Sequence, residues 1–234
     1  MNTFSIGACI RFGWETFKKR PWFFVGVTLF VMLLGWAPTV LQMMVGNNIL
    51  GTVIIAIGSW AYAILLIMGQ IALYMKAHDS IETVSISDLW RPHPFWKFVG
   101  AMFLLGLAIG LPIVIVAGIM GALMAALHTQ PVIAFLIITV LAIAAILITL
   151  RFMFLMYIVM DTGLGPVASI KRCLKITKGT TLKMLLLWLA IVGLTLLGYL
   201  CLLVGAFVAI PVTQLALIHA YRTLSARAET PAAA

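Results

Sequence analysis

The sequence predicts an all-α membrane protein: six transmembrane helices arranged as three hairpins, each preceded by a cytoplasmic amphipathic interfacial helix. Three observations lead there. Of 234 residues, 64% are hydrophobic and 9% charged, against about 25% charged residues in a soluble domain. Several apolar runs reach the roughly 20 residues that cross ~30 Å of hydrocarbon. The cations, finally, fall in alternate connections only. Arg11, Lys18, Lys19 and Arg20, then Lys76, Arg91 and Lys97, then Arg151 and Lys171 to Lys183, then Arg222 and Arg227 belong to one side. The turns at Gly46-Asn47-Asn48, His128-Thr129-Gln130 and Gly198-Tyr199 carry none.

This positive-inside pattern puts both termini of a multi-pass membrane protein in the cytoplasm. The net charge of +9 then faces anionic headgroups, worth about 1 kcal/mol per basic residue near the surface. Charge spread over the connections of a membrane bundle does not suit nucleic acid, and none is expected as a partner. The first apolar stretch follows a long basic segment and has no small-residue cleavage site after it, so no cleaved signal is expected. Cys9 and Cys173 belong to the reducing side and Cys201 near an outer turn, so no disulfide framework is expected.

In chain order, Phe4 to Lys19 reads as an amphipathic helix. Ile6, Ile10, Trp14 and Phe17 share its apolar face; Arg11, Glu15, Lys18 and Lys19 share the other. Glu15 is placed to pair with Arg11 or Lys19. Pro21 ends this helix, and the first span runs to about Met44. Asn47-Asn48 make the outer turn, and the second span covers about Ile49 to Met75. Ser85 to Trp90 reads as a short capped helix, with Ser85 and Asp88 in capping-box spacing. The third span runs from Phe95 to about Leu127 with a kink expected at Pro112. The fourth runs from Pro131 to Met160.

Asp161-Thr162-Gly163-Leu164-Gly165-Pro166 breaks that helix and starts a basic one. Val167, Ile170, Cys173, Leu174 and Thr177 fall on one side of it. Lys171, Arg172, Lys175 and Lys178 fall on the other, the signature of a helix lying in the membrane interface. The apolar run from Met184 to Tyr221 would be roughly 57 Å long as one helix, so it must fold back, with the turn at Gly198 to Gly205. One bundle, 1–224, is expected, followed by a disordered tail, 225–234.

The plan repeats as units of about 4–76, 85–160 and 164–224. Pro21-Trp22-Phe23-Phe24-Val25-Gly26 resembles Pro94-Phe95-Trp96-Lys97-Phe98-Val99-Gly100. Ala8, Ile10, Arg11 and Lys18 align with Ala168, Ile170, Lys171 and Lys178. Gln70-Ile71-Ala72-Leu73 resembles Gln214-Leu215-Ala216-Leu217. Parallel repeats of this kind imply a pseudo-threefold axis along the membrane normal.

The run from Arg151 through Asp161-Thr162-Gly163-Leu164-Gly165-Pro166 to Thr177-Lys178-Gly179, with Pro211 and Ala220-Tyr221-Arg222, resembles a broad group of bacterial six-span proteins. These are uncharacterised inner-membrane proteins related to the membrane domain of glycerophosphodiester phosphodiesterases. The resemblance implies six spans, cytoplasmic termini and an association with lipid headgroups. It covers the C-terminal third well and the rest by topology. No phosphodiesterase domain is present, so that activity and its metal do not carry over.

Candidate chemistry is sparse. Asp161-Thr162-Gly163 matches the aspartic-protease tripeptide, but that chemistry needs two carboxylates sharing a proton, and no second copy occurs. Asp161 is expected instead to help cap the basic helix. Ser59 and His219 differ in depth by roughly 10 Å at 1.5 Å per residue, too far for proton transfer. His78, His93, His128 and His219 show no ligand spacing, so no metal or cofactor is expected. Arg151, inside an apolar run, faces either a bundle interior or snorkels to the interface. Gln70 and Gln214 are placed to join it in a polar cluster. The residues thus predict a non-catalytic membrane module that organises lipids or partners, with Arg151, Gln70, Gln214, Asp161, Lys171, Arg172, Lys175 and Lys178 as lipid-headgroup or polar-cluster candidates. The alternative is a transporter or flippase of an anionic lipid or amphiphile. Gly100, Gly106, Gly110, Gly118 and Gly121 allow close helix contact, so a homo-oligomer or a membrane-protein partner is a further expectation.

Overall fold

The computed structural model describes residues 4–45, 48–90, 94–127, 131–201 and 204–229. Among them the chain is helical throughout, with no strand. Five stretches are long and apolar enough to cross a bilayer: Pro21–Val45, Ile49–Asp79, Phe95–Ile115, Ala142–Thr162 and Thr181–Leu200. The chain is therefore a helical, multi-pass membrane protein. The expected outer turns at Asn47 and His128, the histidine His93 and the last residues of the tail lie outside the described residues.

The chain divides into two compact units, one of residues 1–95 and 186–234, the other of 96–185. The first unit contains α1 (Ile6–Lys19), α2 (Pro21–Val45), α3 (Ile49–Asp79), a 3-10 turn (Ile86–Trp90), most of α8 (Thr181–Leu200) and α9 (Val204–Glu229). Helix α9 is its centre and packs on α1, α2 and α3. Leu215, Ile218, Tyr221 and Leu224 of α9 are buried there. An aromatic file runs from Phe17 of α1 to Phe24 of α2 to Tyr74 of α3, with centroids 6.1 Å and 6.0 Å apart. Glycine permits two close approaches. A Cβ on Gly13 would strike the Val212 carbonyl of α9, and one on Gly69 the Leu89 carbonyl. The turn between α8 and α9 falls where the sequence places it, with Gly198 and Gly205 in backbone contact.

The second unit contains α4 (Phe95–Leu127), α5 (Pro131–Phe152), α6 (Leu155–Thr162), α7 (Pro166–Ile176) and the first turn of α8. Helix α4 continues through Pro112. The expected fourth span is not one helix. It breaks at Met153 and Phe154, and α6 begins at Leu155. Gly163 closes α6 in the left-handed region at φ 60°, and Gly179 turns the chain after α7 at φ 76°, conformations that glycine adopts without penalty. Pro166 starts α7 at its first turn, as its missing N–H allows.

Helices α1 and α7 dock on the protein largely through small and polar residues. Helix α1 does not dock through Ile6, Ile10 and Trp14. Its buried face is Cys9, Gly13, Thr16 and Phe17, and Trp14 is exposed under the Lys18 ammonium. Likewise α7 buries Ser169, Cys173 and Ile176 and exposes Val167 and Leu174. Small and polar residues let helices approach closely inside a membrane protein, while large apolar side chains suit lipid. The tail is also more ordered than expected, since α9 continues through Ser225 to Glu229.

Candidate functional site

Three arrangements of polar or accessible groups stand out, two in the first unit and one in the second. The first lies where α3 and α9 end beside α1. The Arg222 guanidinium donates from Nη2 to Asp79 Oδ2 at 2.7 Å. Asp79 Oδ1 lies 3.1 Å from His78 Nδ1, and His78 Nε2 lies 3.2 Å from His219 Nδ1. The Phe12 ring stacks on His219, centroids 4.2 Å apart, and touches His78 at 4.7 Å. A carboxylate only accepts, so His78 Nδ1 carries a proton. Between the two rings one nitrogen must donate and the other accept. The chain holds together while at least one imidazole is neutral, and two imidazoliums would set N–H against N–H.

Beside it, Asp88 is buried and receives the Lys76 ammonium at 2.8 Å and 3.0 Å. It also accepts from the Ser85 backbone N–H at 2.9 Å, which realises the capping box. Arg20 donates to the carbonyls of Ile81 and Val84 at 3.0 Å and 3.2 Å. The most polar segment of the sequence is thus tied to the ends of α1 and α3 by charge-assisted bonds. At the solvent face of α1, Arg11 pairs with Glu15 at 2.7 Å, as its spacing predicts.

The second arrangement is a cavity of about 390 Å3 lined by residues of α2, α3, α8 and α9, including Gln70 and Tyr74. Gln214 lies on α9, half-buried.

The third is α7. The break between α5 and α6 releases the Arg151 carbonyl, which accepts from Cys173 Sγ at 3.2 Å and from Thr177 Oγ1 at 3.4 Å. Lys97 Nζ donates to the Gly163 carbonyl at 2.7 Å. Docked this way, α7 presents Lys171, Lys175 and Lys178 as exposed ammoniums. Burial raises the Cys173 thiol to about 12 and the Cys9 thiol to about 11, so neither is a ready nucleophile.

The sequence-derived candidates thus separate. Lys171, Lys175 and Lys178 share an exposed face, and Arg172, half-buried, adjoins it. Arg151 has an exposed side chain at the end of α5, and it is its carbonyl that is engaged. Asp161 is exposed in the last turn of α6 and is not the N-cap of α7, which is Gly165. Gln70 and Gln214 belong to the first unit and Arg151 to the second. The Ser59 hydroxyl donates to Ile55 within its own helix.

Sequence reasoning missed the His78–His219 chain. Its signal was faint: each histidine follows an aligned glutamine, Gln70 or Gln214, within about two turns, but at different spacings. Among the described residues no group of three or more His, Cys, Asp or Glu is arranged to hold a metal ion. Compared with protein-family models, curated proteins and solved structures, the chain matches none.

Proposed function

We propose that this chain is a non-catalytic inner-membrane module of three transmembrane hairpins that holds anionic lipid along a cytoplasmic basic belt. The observation that carries it is the face of α7. Lys171, Lys175 and Lys178 are exposed and take part in no ion pair with the described residues, while exposed Val167 and Leu174 flank them. Unpaired ammoniums beside exposed apolar side chains suit a helix seated among headgroups, its charge toward phosphate and its apolar flank toward acyl chains.

The three-hairpin plan gains support from burial. Aligned on Gly26 and Gly100, and on Ala8 and Ala168, the hairpin starts fall in register. Phe24, Phe98 and Met184 are each 0% exposed, and Val27, Ala101 and Leu187 are 1%, 0% and 0%. The same alignment sets Cys9, Gly13, Thr16 and Phe17 against Ser169, Cys173, Ile176 and Thr177, and all eight are buried. Helices α1 and α7 begin at equivalent positions, Ile6 and Pro166, as do α2 and α8, Pro21 and Thr181. In this reading α9 is the sixth span. Its 26 residues cover roughly 39 Å at 1.5 Å per residue. The motif resemblance to six-span inner-membrane proteins points the same way.

The test uses the full chain in nanodiscs. Native mass spectrometry should show phosphatidylglycerol retained over phosphatidylcholine. The triple variant K171Q/K175Q/K178Q should lower that preference on the order of 100-fold at low salt, and less at high salt. Equal retention of both lipids, or a variant like the wild type, would overturn the proposal.

A further inference from the structure

The geometry points to a second and separate site: the cavity between α2, α3, α8 and α9 binds a neutral amphiphile, a hydrocarbon chain carrying one uncharged hydrogen-bonding group. Its volume of about 390 Å3 lies in the range of small-molecule pockets, roughly 300–1,000 Å3. Val31, Met32, Ala206 and Phe207 supply apolar wall, and Thr28, Gln70, Tyr74 and Tyr199 supply its polar groups. No lining residue is charged.

The occupant follows from these walls. Helices α2 and α3 are fit to span the bilayer, and Met32, which lines the cavity, is also exposed on the outside of α2. The cavity therefore lies against acyl chains, so its natural supply is membrane lipid. A carboxylate or phosphate placed inside would lose its hydration without meeting a countercharge, a cost of several kcal/mol. A purely apolar filler would leave the Gln70 amide unserved. That amide makes no hydrogen bond to the described residues, whereas the nearby Thr28 hydroxyl is already satisfied by the Phe24 carbonyl. A hydroxyl or ester carbonyl on a hydrocarbon chain satisfies the amide and fills the apolar space. This site is independent of the lysines of α7 and does not rest on them.

The test uses the full chain in phosphatidylcholine nanodiscs with a monoacylglycerol that carries a photoreactive diazirine in its chain. Cross-links should concentrate on peptides containing Met32, Tyr74 and Phe207, and excess unlabelled monoacylglycerol should suppress them. Ala206→Trp, which fills the cavity, should reduce them at least tenfold. Gln70→Leu should reduce them several-fold while the thermal transition stays in place. K171Q/K175Q/K178Q should leave them unchanged, which separates this site from the anionic-lipid belt. A diazirine fatty acid, charged at neutral pH, should label the cavity far less. Cross-links spread evenly over lipid-facing helices and indifferent to competitor would overturn the inference. So would equal labelling by the fatty acid. The competitor experiment on the wild type decides the matter even if Ala206→Trp fails to fold.

Discussion

Helix α1 lays a glycine on α9, whereas α7 lays a thiol and a hydroxyl on a break between α5 and α6. The two helices carry the same amphipathic pattern, and their buried positions coincide when Ala8 is aligned with Ala168. What differs is the partner. The partner of α1 is an unbroken helix whose backbone must be approached closely, so Gly13 sits against Val212 and Ala216. The partner of α7 is an interrupted helix with a free carbonyl, so Cys173 and Thr177 supply donors to Arg151. In both, large apolar residues such as Trp14, Val167 and Leu174 stay outside. Docking in a membrane protein is decided by close approach and hydrogen bonding, since lipid solvates apolar side chains as well as a protein core does.

That contrast can be broken most sharply at Gly13. Gly13→Leu drives a side chain into the Val212 carbonyl and should cost about 3 kcal/mol or more by overpacking. That is a fall of about 6–12 °C in the thermal transition for a chain of this size. Leucine at the aligned Cys173 should cost less, because a thiol already occupies that space. Equal losses would show that the two helices dock alike.

The next effect belongs to α7. Cys173→Val with Thr177→Val keeps shape and removes both donors to the Arg151 carbonyl, at a cost of about 1–3 kcal/mol. Hydrogen exchange should rise across Met153 and Phe154 and stay unchanged in α1. Faster exchange in α1 would mean that the two docks are not independent.

A smaller effect tests the imidazole chain under α1. Asp79 and Arg222 flank the pair and Phe12 covers it. His219→Ala, which removes the His78–His219 bond and the ring stacked on Phe12, should loosen α1 by about 1 kcal/mol, seen as faster exchange around Phe12. His78→Gln, whose amide can keep a hydrogen bond to His219, should loosen it less. The smallest effect is expected at Ser169, whose buried Oγ has no hydrogen-bond partner among the described residues. Ser169→Ala should leave the thermal transition unchanged or raise it slightly, since it removes an unsatisfied buried group.

Much of the fold could be read from local chemistry. Pro21, Pro166 and the Gly163 and Gly198–Gly205 turns set helix boundaries that the structure keeps, because these residues act on the backbone beside them. The Ser85–Asp88 cap and the Arg11–Glu15 pair were legible for the same reason. The buried faces of α1 and α7 were not, because hydrophobic periodicity marks the side a helix hides from water, and here the choice lies between lipid and protein. The break at Met153–Phe154 carries no proline or glycine, and its stabilising donors come from α7. The His78–His219 contact joins residues far apart in sequence. Of the candidate site, the exposed lysines of α7 could be read from spacing alone. The cavity around Gln70 needs four helices to close it.

The proposed function requires that the basic helix α1 lie at the cytoplasmic membrane face and the α8–α9 turn of the same unit at the other. Cys201, in that turn, is the exposed cysteine, while Cys9 and Cys173 are buried in the basic helices. Right-side-out membrane vesicles treated with a membrane-impermeant maleimide should therefore label the protein promptly, and Cys201→Ser should abolish that labelling. Labelling of Cys201 only after the vesicles are opened would place the turn with the cations and contradict the account.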